Sequence, residues 1–170
     1  GRSTFAGVAI TALVHTDMAS VHIFNAGTQA QQERWLPPMI AGEAICAVAV
    51  TEPGAGSDVK GLRTTARRTD DHFILNGAKM FITNGVHGDV YCVAARTSGA
   101  AGSSAGVTMF IVEAGTPGFT VEPAYDKVGW HASDTHPLTL DRVRVPESNL
   151  LGEEGRGFAN FLSILDEGRI

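Results

Sequence analysis

Along this chain the spacing of apolar positions changes character twice. From Ala6 to Ile23 small and apolar residues run with few breakers until Gly27, which predicts a helix. Thr28, with Gln31 three residues later, forms a capping-box signature and opens a second helix. Ala30–Leu36 continues it, and Pro37-Pro38 should stop it. From Ala44 the pattern turns to strands. Ala44–Val50 is apolar at every position, as in a strand covered on both faces. Leu62–Thr69, Phe73–Leu75, Ala78–Ile82, Val90–Ala95, Val107–Val112, Phe119–Val121 and Leu138–Val145 are further strand candidates. Asp70-Asp71 marks a turn, and Asn76-Gly77 is the strongest short hairpin signal in the chain. Leu138, Leu140, Val143 and Val145 alternate with polar residues but slip register at Asp141-Arg142, as at a β-bulge. Ser98–Gly106, built of Gly, Ser and Ala, reads as a flexible surface loop. After Gly152, Gly155 and Gly157, the residues Phe158, Phe161, Leu162 and Leu165 follow helical spacing.

Helices, then hairpin-connected strands, then a helix again predict an α+β fold with an antiparallel sheet or barrel-like middle. The natural divisions are residues 1–43, helical; 44–151, β-rich; and 152–170, the start of a further helical part. The chain lacks an initiator Met and stops at Arg169-Ile170 within a helical pattern, so both ends read as cut.

Composition narrows the function classes. With 44% hydrophobic and 18% charged residues, the 170-residue chain is globular rather than disordered. A net charge of −5 without a basic stripe argues against nucleic acid as a partner. The apolar run Phe5–Val14 is too short to span a membrane and lacks the charged start of a secretory leader. Cys46 and Cys92 sit in apolar segments and read as buried free thiols of a reducing compartment, with a disulfide left open. The location expected is therefore the bacterial cytoplasm or the mitochondrial matrix.

Two segments carry candidate chemistry. Thr51-Glu52-Pro53-Gly54-Ala55-Gly56-Ser57-Asp58 follows the buried strand directly, and its glycines permit a ligand close to the backbone. It is neither a dinucleotide fingerprint, since Val59 stands where a third glycine would be, nor a P-loop. Taken alone it is as well explained by a tight turn. Lys79–Gly85 ends a strand with Phe81, Ile82 and Thr83, an aromatic and a hydroxyl suited to a planar, partly polar ligand. The blander reading, one core aromatic on an ordinary strand, is favoured for that segment alone. Ser133-Asp134-Thr135-His136 holds triad residue types, but neighbours in sequence do not converge in space as a triad must. It reads as a loop bonding its own turn or lying near a substrate. His15 and His22 share a helix face from which Asp17 points away, so core or solvated histidines are expected rather than a metal site.

Together, Thr51–Asp58, Leu75–Gly85 and Gly129–Thr135 closely resemble the middle domain of acyl-CoA dehydrogenases. Gly27-Thr28 through Trp35-Leu36-Pro37 is similar to the end of that family's N-terminal helical domain, and Val145–Gly152, Gly155–Phe158 and Leu165–Arg169 to the entry of its C-terminal one. Val14-His15-Thr16-Asp17 and Phe81 are nearest the long-chain branch. The resemblance implies FAD contacts from Val48, Val50, Thr51, Gly56 and Ser57, with Ser57 also near the acyl-CoA. Phe81, Ile82 and Thr83 would cover the flavin ring; many relatives carry Trp at the Phe81 position. Thr51 would donate to the N1/O2 edge and Thr83 to N5. Asp166 and Arg169, three apart on one helix side, would lie near the thioester, although a structural ion pair is the plainer account.

The implied reaction is α,β-dehydrogenation of an acyl-CoA thioester, a carboxylate taking the α-proton while hydride passes to FAD N5. In the long-chain and isovaleryl branches the catalytic Glu falls at the position of Gly168. Glu167 is one residue away, roughly 100° around a helix. Hence the base is expected beyond Ile170, and residues 1–170 alone should be inactive. The implied partners are the acyl-CoA substrate and an electron-transfer flavoprotein, in a homotetramer. An acyl-CoA oxidase, or a non-catalytic scaffold on the same fold, are the alternatives.

Overall fold

The computed structural model describes residues 6–167, with 165–167 described by their backbone alone. The N-terminal run is continuous: α1 (Ala6–Leu13), a π-helical stretch Val14–Ala19, and α2 (Ser20–Ala26). By length and composition this 21-residue helix could cross a bilayer, which Phe5–Val14 alone could not. It nevertheless buries His15, Ala19, His22 and Ile23 against protein. The capping box is present: Gln31 N–H donates to Thr28 Oγ1 at 3.3 Å and Thr28 N–H to Gln31 Oε1 at 2.9 Å. Pro37-Pro38 does not stop the helix that follows. That helix, α3 (Gln29–Ala41), runs on to a left-handed Gly42 with φ 74°. The two missing N–H groups would have bonded the carbonyls of Glu33 and Arg34, which are exposed residues that water can serve. Trp35 and Met39, four apart and buried, hold the turn that spans the prolines.

The strands are β1 (Cys46–Ala49), β2 (Thr65–Arg68), β3 (His72–Thr83), β4 (Val90–Arg96), β5 (Val107–Glu113), β6 (Phe119–Val121), β7 (Thr135–Pro146) and β8 (Leu150–Leu151); α4 (Gly157–Glu167) follows. One open sheet orders them β6-β7-β3-β2-β4-β5-β8, with β1 beside β4. The fold is α+β, as expected. Most pairings are antiparallel, but β1 and β2 both run parallel to β4. The sheet curls until β5 touches β7, so that Phe73, Leu75, Tyr91, Val93, Phe110, Leu138 and Val143 form one inner cluster. On the other face, Cys92, Met109 and Ile111 pack with Ala19, Ile23, Trp35 and Met39 from the helices. β4 is therefore buried on both faces. Cys46 and Cys92 are free, buried thiols with sulfurs 4.0 Å apart.

Two further expectations are corrected. Asn76-Gly77 is no hairpin turn: β3 passes straight through it, and the reversal lies at Asp70-Asp71, where Thr69 N–H donates to the His72 carbonyl at 2.8 Å. Asn76 instead serves the bulge on β7. Leu75 pairs with Val143 but Gly77 with Leu140, so β7 holds one extra residue there. The freed N–H of Arg142, at φ 52°, donates to Asn76 Oδ1 at 2.9 Å. Gly77 is glycine because a Cβ would sit 2.4 Å from Thr64 Oγ1 and 2.8 Å from Thr64 Cα. Nor is Ser98–Gly106 a loose loop. The buried Arg96 guanidinium donates to the carbonyls of Ala105 at 3.0 Å and Ser103 at 3.2 Å, and Gly102 N–H to Lys60 O at 2.7 Å.

His22 is fully buried, with neither ring nitrogen hydrogen-bonded among the described residues, and its ring lies parallel to that of Phe161 at 6.2 Å. Burial pushes its pKa from 6.5 down to about 4. The folded protein thus binds fewer protons than the unfolded between those values, and its stability rises with pH across that window. The contribution is complete above pH 6.5 and is lost as pH falls toward 4. Denaturant titrations at pH 7 and pH 5 should differ by about 2 kcal/mol from this group. A His22→Leu variant should lose that share of the difference.

Candidate active site

At one end of the curled sheet, β1 and β3 finish side by side beneath the π-helical stretch and α4. Val14, Met18, Val48, Val50, Thr51, Phe81, Ile82, Thr83 and Phe161 line a cleft of about 310 Å³ there. Its lining is mostly apolar, and the two threonines, both half-buried, are its polar side chains. A larger groove of about 500 Å³ lies between α3 and the Glu147–Gly152 segment. Its charged groups are already committed, Arg34 to Glu113 at 2.9 Å and Glu147 to Arg68 at 2.5 Å, so the smaller cleft is the better chemical candidate.

Local structure explains how the cleft is made. The β3–β7 ladder pairs Lys79 with Leu138 and Ile82 with His136, so β3 carries an extra residue between them. Phe81 takes up the slack at φ 58°, a left-handed conformation that a bulky side chain rarely adopts. Its ring swings outward, 57% exposed, and packs at 5.0 Å on Tyr125. Met80 N–H, released from β7, donates to Thr51 O at 2.9 Å and ties the two segments together.

Beneath that tie lies a buried ion pair. Lys79 Nζ donates to Glu52 Oε1 at 2.8 Å and to Val50 O at 3.2 Å. Glu52 also accepts Arg63 N–H at 2.6 Å and Thr64 N–H at 3.0 Å. Burial works to raise the Glu52 pKa, but the Lys79 charge and these hydrogen bonds outweigh it and hold it below the usual carboxylate value. Burial dominates at Lys79 and pushes it down to about 8.

The Thr51–Asp58 loop closes on itself, Glu52 N–H donating to Ala55 O at 2.9 Å and Ala55 N–H to Glu52 O at 3.1 Å. Gly56 and Ser57 are exposed on it and do not line the cleft. A Cβ at Gly54 or Gly56 would meet nothing within 4 Å. The chain's own packing therefore gives no reason for either glycine, and both leave open backbone beside the cleft. Past the second segment, Asn84 is fully buried at φ 63° and donates from Nδ2 to Thr11 O at 3.1 Å. Asp134 Oδ2 accepts Val86 N–H at 2.8 Å and His87 N–H at 3.1 Å, while His136 Nε2 lies 2.7 Å from Asp134 Oδ1. Ser133–His136 thus braces the Asn84–His87 turn.

Of the expected site residues, Val48, Val50, Thr51, Phe81, Ile82 and Thr83 share the cleft. The side chain of Asp166 and the residues Gly168 and Arg169 lie outside the described residues. Val14 and Met18 were legible only as a helical i, i+4 pair, and Phe161 only as part of an amphipathic stripe. Lys79 and Glu52, an exposed-looking strand residue and a loop acid, gave no sign of pairing. His15 serves neighbouring elements, accepting Cys46 N–H at Nδ1, 2.9 Å away, with Nε2 3.1 Å from Met39 O.

Residues 47–143 match the family described as "Acyl-CoA dehydrogenase, middle domain", and residues 2–43 match "Acyl-CoA dehydrogenase, N-terminal domain". The chain belongs to the acyl-CoA dehydrogenase family. It is 46% identical over 166 residues to the short-chain specific acyl-CoA dehydrogenase of Megasphaera elsdenii, covering 97% of this chain and 43% of that protein. It is 45% identical over 158 residues to the mitochondrial long-chain specific acyl-CoA dehydrogenase of Rattus norvegicus, covering 92% of this chain and 37% of that one. A solved acyl-CoA dehydrogenase complexed with FAD from Bacillus anthracis matches with a TM-score of 0.90 at 39% identity, over 96% of this chain and 28% of its own. The chain thus spans less than half the length of these acyl-CoA dehydrogenases.

Arg96 secures the far side of the loop. Besides Ala105 and Ser103 it binds Lys60 O at 3.0 Å and Leu62 O at 3.1 Å, fixing the turn that follows Asp58. Arg96→Met leaves four carbonyls without this donor and should cost about 2–4 kcal/mol in denaturant titration. Limited proteolysis should then cut within Ser98–Gly106.

Proposed function

We propose that this chain forms the cofactor-cradling part of a flavin-dependent acyl-CoA dehydrogenase that introduces an α,β double bond into an acyl-CoA thioester. The observation that carries the reading is the cleft itself: an apolar lining that includes Val48, Val50 and Ile82, with Thr51 and Thr83 as its polar side chains. That donor set suits a flavin, whose ring is flat and apolar on its faces and polar along one edge. FAD, when bound, supplies the two-electron acceptor for the β-hydrogen.

The residues of this chain orient and insulate. Val48 and Val50 would contact the cofactor, and Phe81, Ile82 and Thr83 would cover the ring, Phe81 adding an apolar face that excludes water. The Thr51 hydroxyl would donate to the N1/O2 edge, where negative charge grows as electrons arrive, and the Thr83 hydroxyl to N5. Gly56 and Ser57 offer open backbone and a hydroxyl to the cofactor and the acyl-CoA, with Asp166 and Arg169 on the substrate side. No carboxylate of the described side chains reaches into the cleft, since Glu52 is turned away into its pair with Lys79. The α-proton is assigned, on the family resemblance, to a Glu beyond Ile170. An electron-transfer flavoprotein is the proposed acceptor, and a homotetramer the proposed assembly.

Two measurements on the full-length protein test this. Thr83→Val should keep flavin content while slowing substrate-driven flavin reduction at least about tenfold in anaerobic stopped flow. Unchanged flavin affinity and reduction kinetics would remove the Thr83 assignment. Glu167→Gln should retain turnover within about threefold, because a general base accounts for about a hundredfold or more. Loss of turnover with flavin still bound would make Glu167 the base.

A further inference from the structure

Lys79 is 1% exposed and Glu52 6%, and neither touches the cleft. An ammonium stripped of water is costly unless its geometry is closely satisfied, and replacing such a pair by apolar residues is often neutral or stabilising. Its presence therefore calls for a reason other than stability. Position supplies one. Glu52 directly follows Thr51, and Lys79 stands at the last β3 position before the extra residue that carries Phe81 away from β7. Each half of the cleft wall thus has one member of the pair at its root.

The contacts extend in both directions. Nζ reaches Val50 O, the carbonyl of a cleft-lining residue, as well as Glu52 Oε1. The carboxylate in turn collects the N–H groups of Arg63 and Thr64, where the chain turns back toward β2. Met80 N–H to Thr51 O is the single backbone hydrogen bond joining the two segments, and it lies one residue from each charged partner.

We propose that the buried Lys79–Glu52 pair is a positioning device that sets the register of Thr51 against Thr83, and through them the orientation and electronic environment of the bound cofactor. The pair does no chemistry on substrate. It determines where two hydroxyls stand, and its functional meaning rests on the flavin reading above.

The test uses the full-length protein with Lys79→Met, Glu52→Gln, the double variant and Lys79→Arg. A Val143→Ala variant, in the inner cluster away from the cleft, gives a general loss of stability for comparison. Amide hydrogen exchange of the cofactor-free protein reports on the segments without reference to flavin. In Lys79→Met and Glu52→Gln, residues 80–83 should exchange at least about tenfold faster while β5 does not, and in Val143→Ala residues 80–83 should be unchanged. In the loaded protein, Kd for FAD should rise at least about tenfold and the visible flavin spectrum should shift. The single variants should be non-additive in the double, and Lys79→Arg should restore part of the affinity. Exchange, affinity and spectrum that merely track the loss of stability, as in Val143→Ala, would overturn the proposal. So would additive single variants. If Lys79→Met does not fold, Glu52→Gln, which keeps the shape of the side chain, decides by the same readouts. Should the wild type bind no FAD, the flavin reading fails, and exchange at residues 80–83 alone decides whether the pair couples the segments.

Discussion

When a strand breaks register inside a protein, its backbone N–H and C=O groups need new partners, because leaving one buried and unbonded costs as much as a lost hydrogen bond. β3 meets that demand between Lys79 and Ile82, where it parts from β7 for one residue. Met80 solves it by turning its N–H to Thr51 O at the end of β1. Two strands that are not neighbours in the sheet are thereby joined at their ends, and the cleft is the space above the join. The rest of the site follows: both threonines line the cleft, the Thr51–Asp58 loop takes its direction, and the helices add Val14, Met18 and Phe161 to its lining.

The helical layer is fitted to this sheet by polar groups as much as by apolar ones. His15 bonds the end of α3 and the start of β1 with its two ring nitrogens. Gln31 closes its capping box and also donates to the carbonyls of Ser148 at 2.8 Å and Leu150 at 2.9 Å. The π-helical stretch holds His15 on the protein side while Val14 and Met18 line the cleft. π-helical insertions often accompany functional sites because they shift which residues face a neighbour without ending the helix.

Much of this is legible in the sequence. Strand positions, the capping box and the bulge at Asp141-Arg142 leave local traces, in periodicity, in cap residues and in a slip of alternation, whereas only the family resemblance joins the two loops. What stayed hidden depends on partners far away in the chain. Asn76-Gly77 has hairpin composition, yet its meaning comes from Thr64, which forbids a Cβ at Gly77, and from Arg142, whose N–H needs Asn76. Pro37-Pro38 has the composition of a helix stop, yet buried Trp35 and Met39 carry α3 past it. Ser98–Gly106 has linker composition, but the Arg96 guanidinium ties its carbonyls to that of Leu62, 34 residues away, and Gly102 N–H bonds Lys60 O. In each case tertiary contacts overrode a sound local preference.

Phe81 brings these threads together. A bulky residue at positive φ is strained by about 1–3 kcal/mol and persists only where its surroundings over-determine it. Here both flanks are pinned, Lys79 by Glu52 and Val50, and Ile82 and Thr83 by renewed pairing with His136 and Thr135. The chain between them has one residue too many for a flat strand, and the left-handed turn at Phe81 is how it fits. Its ring, projected out of the sheet, packs on Tyr125 and forms a wall of the cleft instead of joining the core. The exposed aromatic and the buried ion pair thus flank one geometric problem, the one-residue departure of β3 from β7 at which Met80 bonds Thr51 instead.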